Sequence, residues 1–152
     1  MAGTVNARLG ETEKQSDERY GLPTAIAPTP GSDKTIRYEK DGIKISCEFV
    51  KDKCLRITYE MTPWEKLREA KFELIMQSEG GSVWANYQGG KPNEYARSDR
   101  LAIAVKQRDS ITFMLNEWTK LYDQAVKDQA AAKKAAEKAA EHERLKKLGR
   151  EL

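Results

Sequence analysis

Ile43-Lys-Ile-Ser-Cys-Glu-Phe-Val50, Lys51-Asp-Lys53 and Cys54-Leu-Arg-Ile-Thr-Tyr-Glu-Met61 decide the fold. Both outer runs alternate apolar and polar residues, the period of a half-buried strand. With Lys51, Asp52 and Lys53 as the loop, Val50 falls opposite Cys54. Ile43 then faces Met61, Ile45 faces Tyr59, Cys47 faces Ile57 and Phe49 faces Leu55, all on one side. On the other side Lys44 meets Glu60, Ser46 meets Thr58 and Glu48 meets Arg56. A slip of one residue would turn every side chain of one strand to the wrong face, so the agreement of both faces predicts a hairpin.

Upstream, Thr35 to Lys40 reads as a strand leading into Asp41-Gly42, a dipeptide that favours a two-residue type I′ turn. That turn sets Tyr38 opposite Ile45, Ile36 opposite Cys47 and Glu39 opposite Lys44. Residues 1–34 are rich in Gly, Pro, Ser, Thr and charge, and such a composition predicts disorder. Tyr20, Leu22 and Ile26 are the side chains there that could dock.

Downstream, Thr62-Pro63-Trp64-Glu65 has the form of a capping box with proline at the first helical position. It predicts a helix to about Ala70 with Trp64 and Leu67 as anchors. Phe72 to Gln77 could extend that helix to Gly80. As a hairpin around Ser78-Glu79-Gly80-Gly81, however, Phe72 meets Tyr87, Leu74 meets Ala85 and Met76 meets Val83, and this match favours strands. Gly89 to Asp99 reads as a loop. Arg100 to Lys106 reads as a strand with Leu101, Ile103 and Val105 inward and Ala102 and Ala104 outward.

Asp109 or Ser110 then caps a long helix. Ile111, Met114, Leu115, Trp118, Leu121, Tyr122, Ala125 and Val126 form its apolar stripe, from which Phe113 points away. After Gln129 the sequence is rich in Ala, Lys and Glu, with high helix propensity. The stripe continues as Ala132, Ala136, Ala139 and Ala140, while Leu145, Leu148 and Leu152 lie on a different face. A strong coiled coil is not indicated.

The expected class is therefore α+β, with antiparallel sheet from a possible duplicated βββα unit, a disordered N-terminus and a long C-terminal helix. The divisions are 1–34 disordered, 35–126 folded and 127–152 an exposed helical tail. Leu55-Arg-Ile-Thr-Tyr59 before the first helix echoes Leu101-Ala-Ile-Ala-Val105 before the second. Two sheet-plus-helix units resemble, in outline, the layout of Whirly-type and PUR-type single-strand nucleic-acid binders, which use four strands per unit. None of their motifs occurs here, and the resemblance carries topology alone.

Charge and composition narrow the function. The chain has 152 residues, 39% hydrophobic and 34% charged, with a formal charge of +3. Residues 127–152 hold eight Lys and Arg against five Asp and Glu, leaving 19 of each sign elsewhere (27 less 8, and 24 less 5). A neutral body does not bind phosphate backbone by net charge alone. No apolar run approaches the ~18 residues of a membrane span. Residues 1–9 lack the apolar core of a signal peptide, so the expectation is a cytoplasmic protein without a membrane partner.

Catalytic signals are missing. His142, the single histidine, lies in the alanine-rich tail. No phosphate loop, nucleophile elbow or metal-ligand cluster is recognisable. Gly80-Gly81 and Gly89-Gly90 read as turns. In the expected register Cys47 and Cys54 lie on opposite faces, so no disulfide joins them. The reading is a non-enzyme without cofactor or metal.

Two functions remain. In the first, single-stranded DNA or RNA binds a sheet face by aromatic stacking and basic side chains. Trp84, Asn86 and Gln88 would point outward beside Ala102 and Ala104. Trp84, Asn86, Lys91, Tyr95, Arg97, Arg100, Lys106 and Arg108 are the candidate residues. In the second, the chain is an assembly subunit. It would dock on a protein partner, or on itself, through residues 111–152 and through exposed Phe113, Trp84, Leu145 and Leu148.

Overall fold

The hairpin register is as expected from Lys44 opposite Glu60 to Glu48 opposite Arg56, and then departs from it. Phe49 pairs with Cys54 and Val50 with Lys53, so the loop is Lys51-Asp52 alone. Both loop residues have positive φ, 49° and 59°. This is the twist of a type I′ turn, which suits the right-handed twist of the flanking strands. Leu55 becomes the extra residue of a β-bulge and is fully buried. The bulge turns Cys54 to the same face as Cys47, a correction to the expected opposite faces. Both thiols are free and buried. Burial, then the neighbouring Cys47 thiol, push the Cys54 thiol well above its ordinary range.

The computed structural model describes residues 9–62, 68–79, 84–86 and 92–151. Along the chain these form α1 (Glu13–Tyr20), β1 (Ala25–Thr29), β2 (Ser32–Lys40), β3 (Ile43–Val50), β4 (Lys53–Glu60), α2 (Arg68–Ser78), β5 (Trp84–Asn86), β6 (Glu94–Arg97), β7 (Ala102–Lys106), β8 (Ser110–Leu115) and α3 (Asn116–Glu151). The strands make one antiparallel sheet in the order β1-β2-β3-β4-β8-β7-β6-β5. The fold is α+β, and the repeating unit has four strands followed by a helix. The two units meet through their fourth strands, with Ile57 opposite Phe113 and Tyr59 opposite Ile111. Topology thus equates β4 with β8, whereas the sequence echo had aligned β4 with β7.

One face carries the main core. Ile36, Tyr38, Ile45, Cys47, Phe49, Ile57, Tyr59, Ile111 and Phe113 lie there, covered by Tyr20 of α1 and by Phe72 and Ile75 of α2. The first part of α3 packs on the opposite face, where Trp118 lies against Arg56. The sheet is therefore the middle of three layers.

Four further expectations are corrected. First, residues 9–34 are structured, while residues 1–8 lie outside the described set. Thr12 and Gln15 form a capping box that starts α1. Gly10 N–H donates to the Cys54 carbonyl at 2.7 Å, and Cys54 N–H donates to the Glu11 carbonyl at 2.8 Å. Leu9 and Tyr20 are buried. Two apolar anchors and these pairings offset an ordering cost that composition alone predicts to be prohibitive.

Second, Phe72 to Gln77 is helical. Phe72, Ile75, Met76 and Glu79 share one narrow stripe, and Leu74, 64% exposed, faces solvent. The hairpin match had counted Leu74 as a core residue. Ala85 pairs with Ala96 rather than Leu74. The expected partners Val83 and Tyr87, like Gln88, Gly80-Gly81, Gly89-Gly90, Leu67 and the Pro63-Trp64-Glu65 cap, lie outside the described residues.

Third, Glu94–Arg97 of the expected loop is strand β6, between β5 and β7. Fourth, Ser110–Leu115 is strand β8 and not the start of the long helix. Phe113, the outlier of the helical stripe, is fully buried opposite Ala104. This inverts β7: Ala102 and Ala104 are buried, while Ile103 and Val105 sit half-buried on the α3 side. Alanine suits the inner face because Phe113 fills the space in front of it.

Candidate interaction surface

The turn from β6 to β7 is locked on all sides. Arg97 pairs with Asp99 at 2.9 Å. That guanidinium, with the Leu101 N–H, holds the Asp99 carboxyl below its usual range. Arg100 adopts a left-handed backbone, φ 61°, costly for a side chain of this kind and sustained by neighbouring bonds. Its N–H donates to the Arg97 carbonyl at 2.8 Å, and its carbonyl accepts from Asn116 Nδ2 at 2.7 Å. Asn116, the first residue of α3, thus ties the helix to the turn.

Beside this turn the α3-side face of β5–β7 is open. One groove of about 430 Å3 has Ala85, Ala96 and Ile103 in its lining, with Asn86, Arg100 and Asn116 beside them. A second, of about 390 Å3, lies between Ile103, Val105, Glu94 and Tyr95 and the Asn116, Thr119 and Lys120 end of α3. Ile103 and Asn116 line both, so the two make a continuous trough. Arg100 and Lys120 are exposed.

The second feature is α3 itself. Its 36 residues make a rod of about 54 Å. Trp118 is buried and stacks on Tyr122, ring centroids 4.9 Å apart and planes 15° from parallel. Gly31, in the turn between β1 and β2, lies so close that a Cβ there would stand 2.8 Å from the Tyr122 Cα. The helix thus crosses β8 and β4 and leaves the body at the β1–β2 turn. Leu121, Tyr122 and Val126 are exposed beside Trp118. Every residue from Val126 to Arg150 is exposed, including Leu145 and Leu148.

The residues expected to bind nucleic acid are dispersed. Trp84 lies on the core face, not the open one, its ring centroid 5.3 Å from that of Phe113. Its indole N–H donates to the Glu79 carbonyl at 3.3 Å. Tyr95 packs partly against the core. Lys106 pairs with Glu69 and lies over the Phe72 ring. Arg97 is taken by Asp99, and Arg108 is exposed in the β7–β8 turn, at the opposite end of β7 from Arg100. Asn86, Arg97 and Arg100 come together at the first groove, with the Asn86 side chain also donating to the Pro92 carbonyl at 2.8 Å. Lys91 lies outside the described residues.

Sequence reasoning missed Ala85, Ala96, Ile103, Asn116, Thr119 and Lys120. Only the path of α3 decides which face is open, and no local signal encodes that path. It also missed Glu79, a fully buried carboxylate that accepts the Leu9 N–H at 2.8 Å and the Tyr59 hydroxyl at 3.4 Å.

Among the described residues, no cluster of three or more His, Cys, Asp or Glu side chains could hold a metal ion. No described helix is long and apolar enough to cross a membrane. No family model, curated protein or solved structure matches the chain.

Proposed function

We propose that this chain is a non-catalytic assembly subunit that docks on another polypeptide through α3. The observation that carries this reading is the long solvent-exposed run of the helix. Residues 127–150, about 36 Å of helix, are exposed throughout. Leu121 and Val126 are exposed where the helix leaves the sheet, beside Tyr122, whose ring stacks on Trp118. Helices in water take most of their stability from burying a face, and this one buries only its start. The exposed apolar side chains are the anchors that helix recognition uses, spaced one turn apart.

The test is the native size of the protein in an extract of its source cells. The intact chain is expected in a complex larger than itself that resists salt and nuclease. Leu121→Lys with Val126→Glu is expected to migrate at the size of the released chain. Equal migration of the two proteins would reject the reading.

A second reading is single-stranded nucleic acid held in the trough. The exposed cations Arg100 and Lys120, without ion-pair partners among the described residues, flank its small apolar floor and favour this reading. Four strands per unit is also the layout of the Whirly-type and PUR-type binders, though topology does not establish function. Trp84, packed against Phe113 on the core face, takes no part in it. Labelled single-stranded DNA and RNA, titrated at two salt concentrations, test it. Salt-sensitive binding weakened by Arg100→Ala supports it, and no binding at low salt rejects it.

A further inference from the structure

Strand β1 is the outermost strand of the first unit, and among the described residues only β2 pairs with it. Thr24 N–H donates to the Arg37 carbonyl at 2.8 Å. Peptide groups alternate sides along a strand, so Thr24 and Ile26 turn theirs toward β2 while Ala25 and Ala27 turn theirs outward. By the same alternation Pro28 faces β2, where the register shifts between Ala27 and Thr29. Its missing N–H therefore leaves the outer edge intact. Ile26 lies opposite fully buried Ile36, and directly opposed residues share a face. Ile26 thus stands on the core face of the sheet, yet it is 62% exposed. We infer that the outer edge of β1 pairs antiparallel with β1 of a second copy of this chain, about a two-fold axis between the two Ile26 residues. The pairing uses β1 alone and does not rest on docking through α3.

Three observations argue for a second copy. The edge is unguarded. Free edges in monomeric proteins are commonly protected by charged side chains, but Gly21 to Ser32 carries none, in a chain that is 34% charged. A two-fold contact sets each side chain near its own kind, so an uncharged edge is what self-pairing requires. The register is self-complementary. Ala25 exchanges N–H···O bonds with Ala27 of the second copy, and Ala27 with its Ala25. Ile26 then meets its counterpart in the closer, non-hydrogen-bonded position, where facing side chains pack together. The contact also closes, because an isologous pairing consumes this edge on both copies. Five residues of strand on each copy make a small interface, so the dimer is expected to depend on concentration.

The test is the mass of the full chain by sedimentation equilibrium over a range of concentrations. The intact chain is expected to pass from monomer to dimer as concentration rises. Ala27→Pro removes an outward N–H that the single molecule does not use, and is expected to weaken the dimer by more than about tenfold. Ile26→Lys and Ile26→Glu, at an exposed position, each set like charges against one another across the axis. Each is expected to be monomeric where the intact chain is dimeric. An equimolar mixture of these two chains is expected to recover the dimer, because opposite charges then face one another.

A monomer of the intact chain at every concentration overturns the pairing. So does a dimer that Ile26→Lys leaves unchanged, which places the contact elsewhere on the molecule. A mixture of the Ile26→Lys and Ile26→Glu chains that stays monomeric overturns the two-fold register at Ile26.

Discussion

The guanidinium carbon of Arg56 lies 4.8 Å from the centre of the Trp118 indole, while Arg56 Nη1 donates to Glu48 at 2.6 Å. Arg56 therefore joins α3 to the sheet and neutralises a carboxylate whose side chain is only 4% exposed. Arg56→Ala is expected to cost about 2–4 kcal/mol, because it strands that carboxylate and bares the indole. Arg56→Met with Glu48→Leu is expected to recover much of the loss. Urea unfolding of the single and double variants checks this; equal stabilities would refute it.

Gly31 has φ +81° and no room for a Cβ, with the Tyr122 backbone 2.8 Å from where one would stand. Gly31→Ala is expected to destabilise the protein by more than about 1 kcal/mol and to shift the start of α3. Amide exchange over residues 116–126 would quicken. Gly42→Ala, also at positive φ but in open space, is expected to leave that region unchanged.

The Asp99 carboxyl is held below its usual range, first by Arg97. A depressed carboxyl stabilises the turn above its unfolded pKa, about 3.9, and loses that contribution as pH falls through the lower folded value. The β6–β7 turn is thus expected to loosen below about pH 4, read from the chemical shift of the Leu101 amide that bonds to Asp99 at 2.9 Å. In Asp99→Asn this acid transition should vanish; its persistence would assign it to another group.

Cys47 and Cys54 share the core face and are both fully buried. The Cys54 thiol is pushed up chiefly by burial, which disfavours the reactive thiolate. A thiol reagent is expected to titrate none in the native protein at neutral pH and both after unfolding in guanidinium. Rapid native labelling would contradict the burial of the bulged hairpin.

Period-two alternation made β2, β3 and most of β4 legible, since each register error would have exposed apolar side chains. The bulge at Leu55 was not legible, because a three-residue loop satisfies the same alternation. Phe113 carried the clue to β8. A large aromatic off the stripe of a long helix fits a strand better, and the uninterrupted helical pattern after Asn116 masked it. Residues 9–34 were hidden by composition, because the partner that orders Leu9 is Glu79, 70 residues away in sequence. Which face of β5–β7 is open followed from the path of α3, so Trp84 was expected on the side it does not occupy.

Amide exchange across residues 127–150 most directly tests docking through α3. The protein would be measured in its native complex and again as the released Leu121→Lys/Val126→Glu chain. Docking predicts protection of the tail in the complex by more than about 100-fold, since an undocked helix opens with little free-energy cost. Equal, rapid exchange in both samples would contradict a docked tail and leave the exposed helix without a partner.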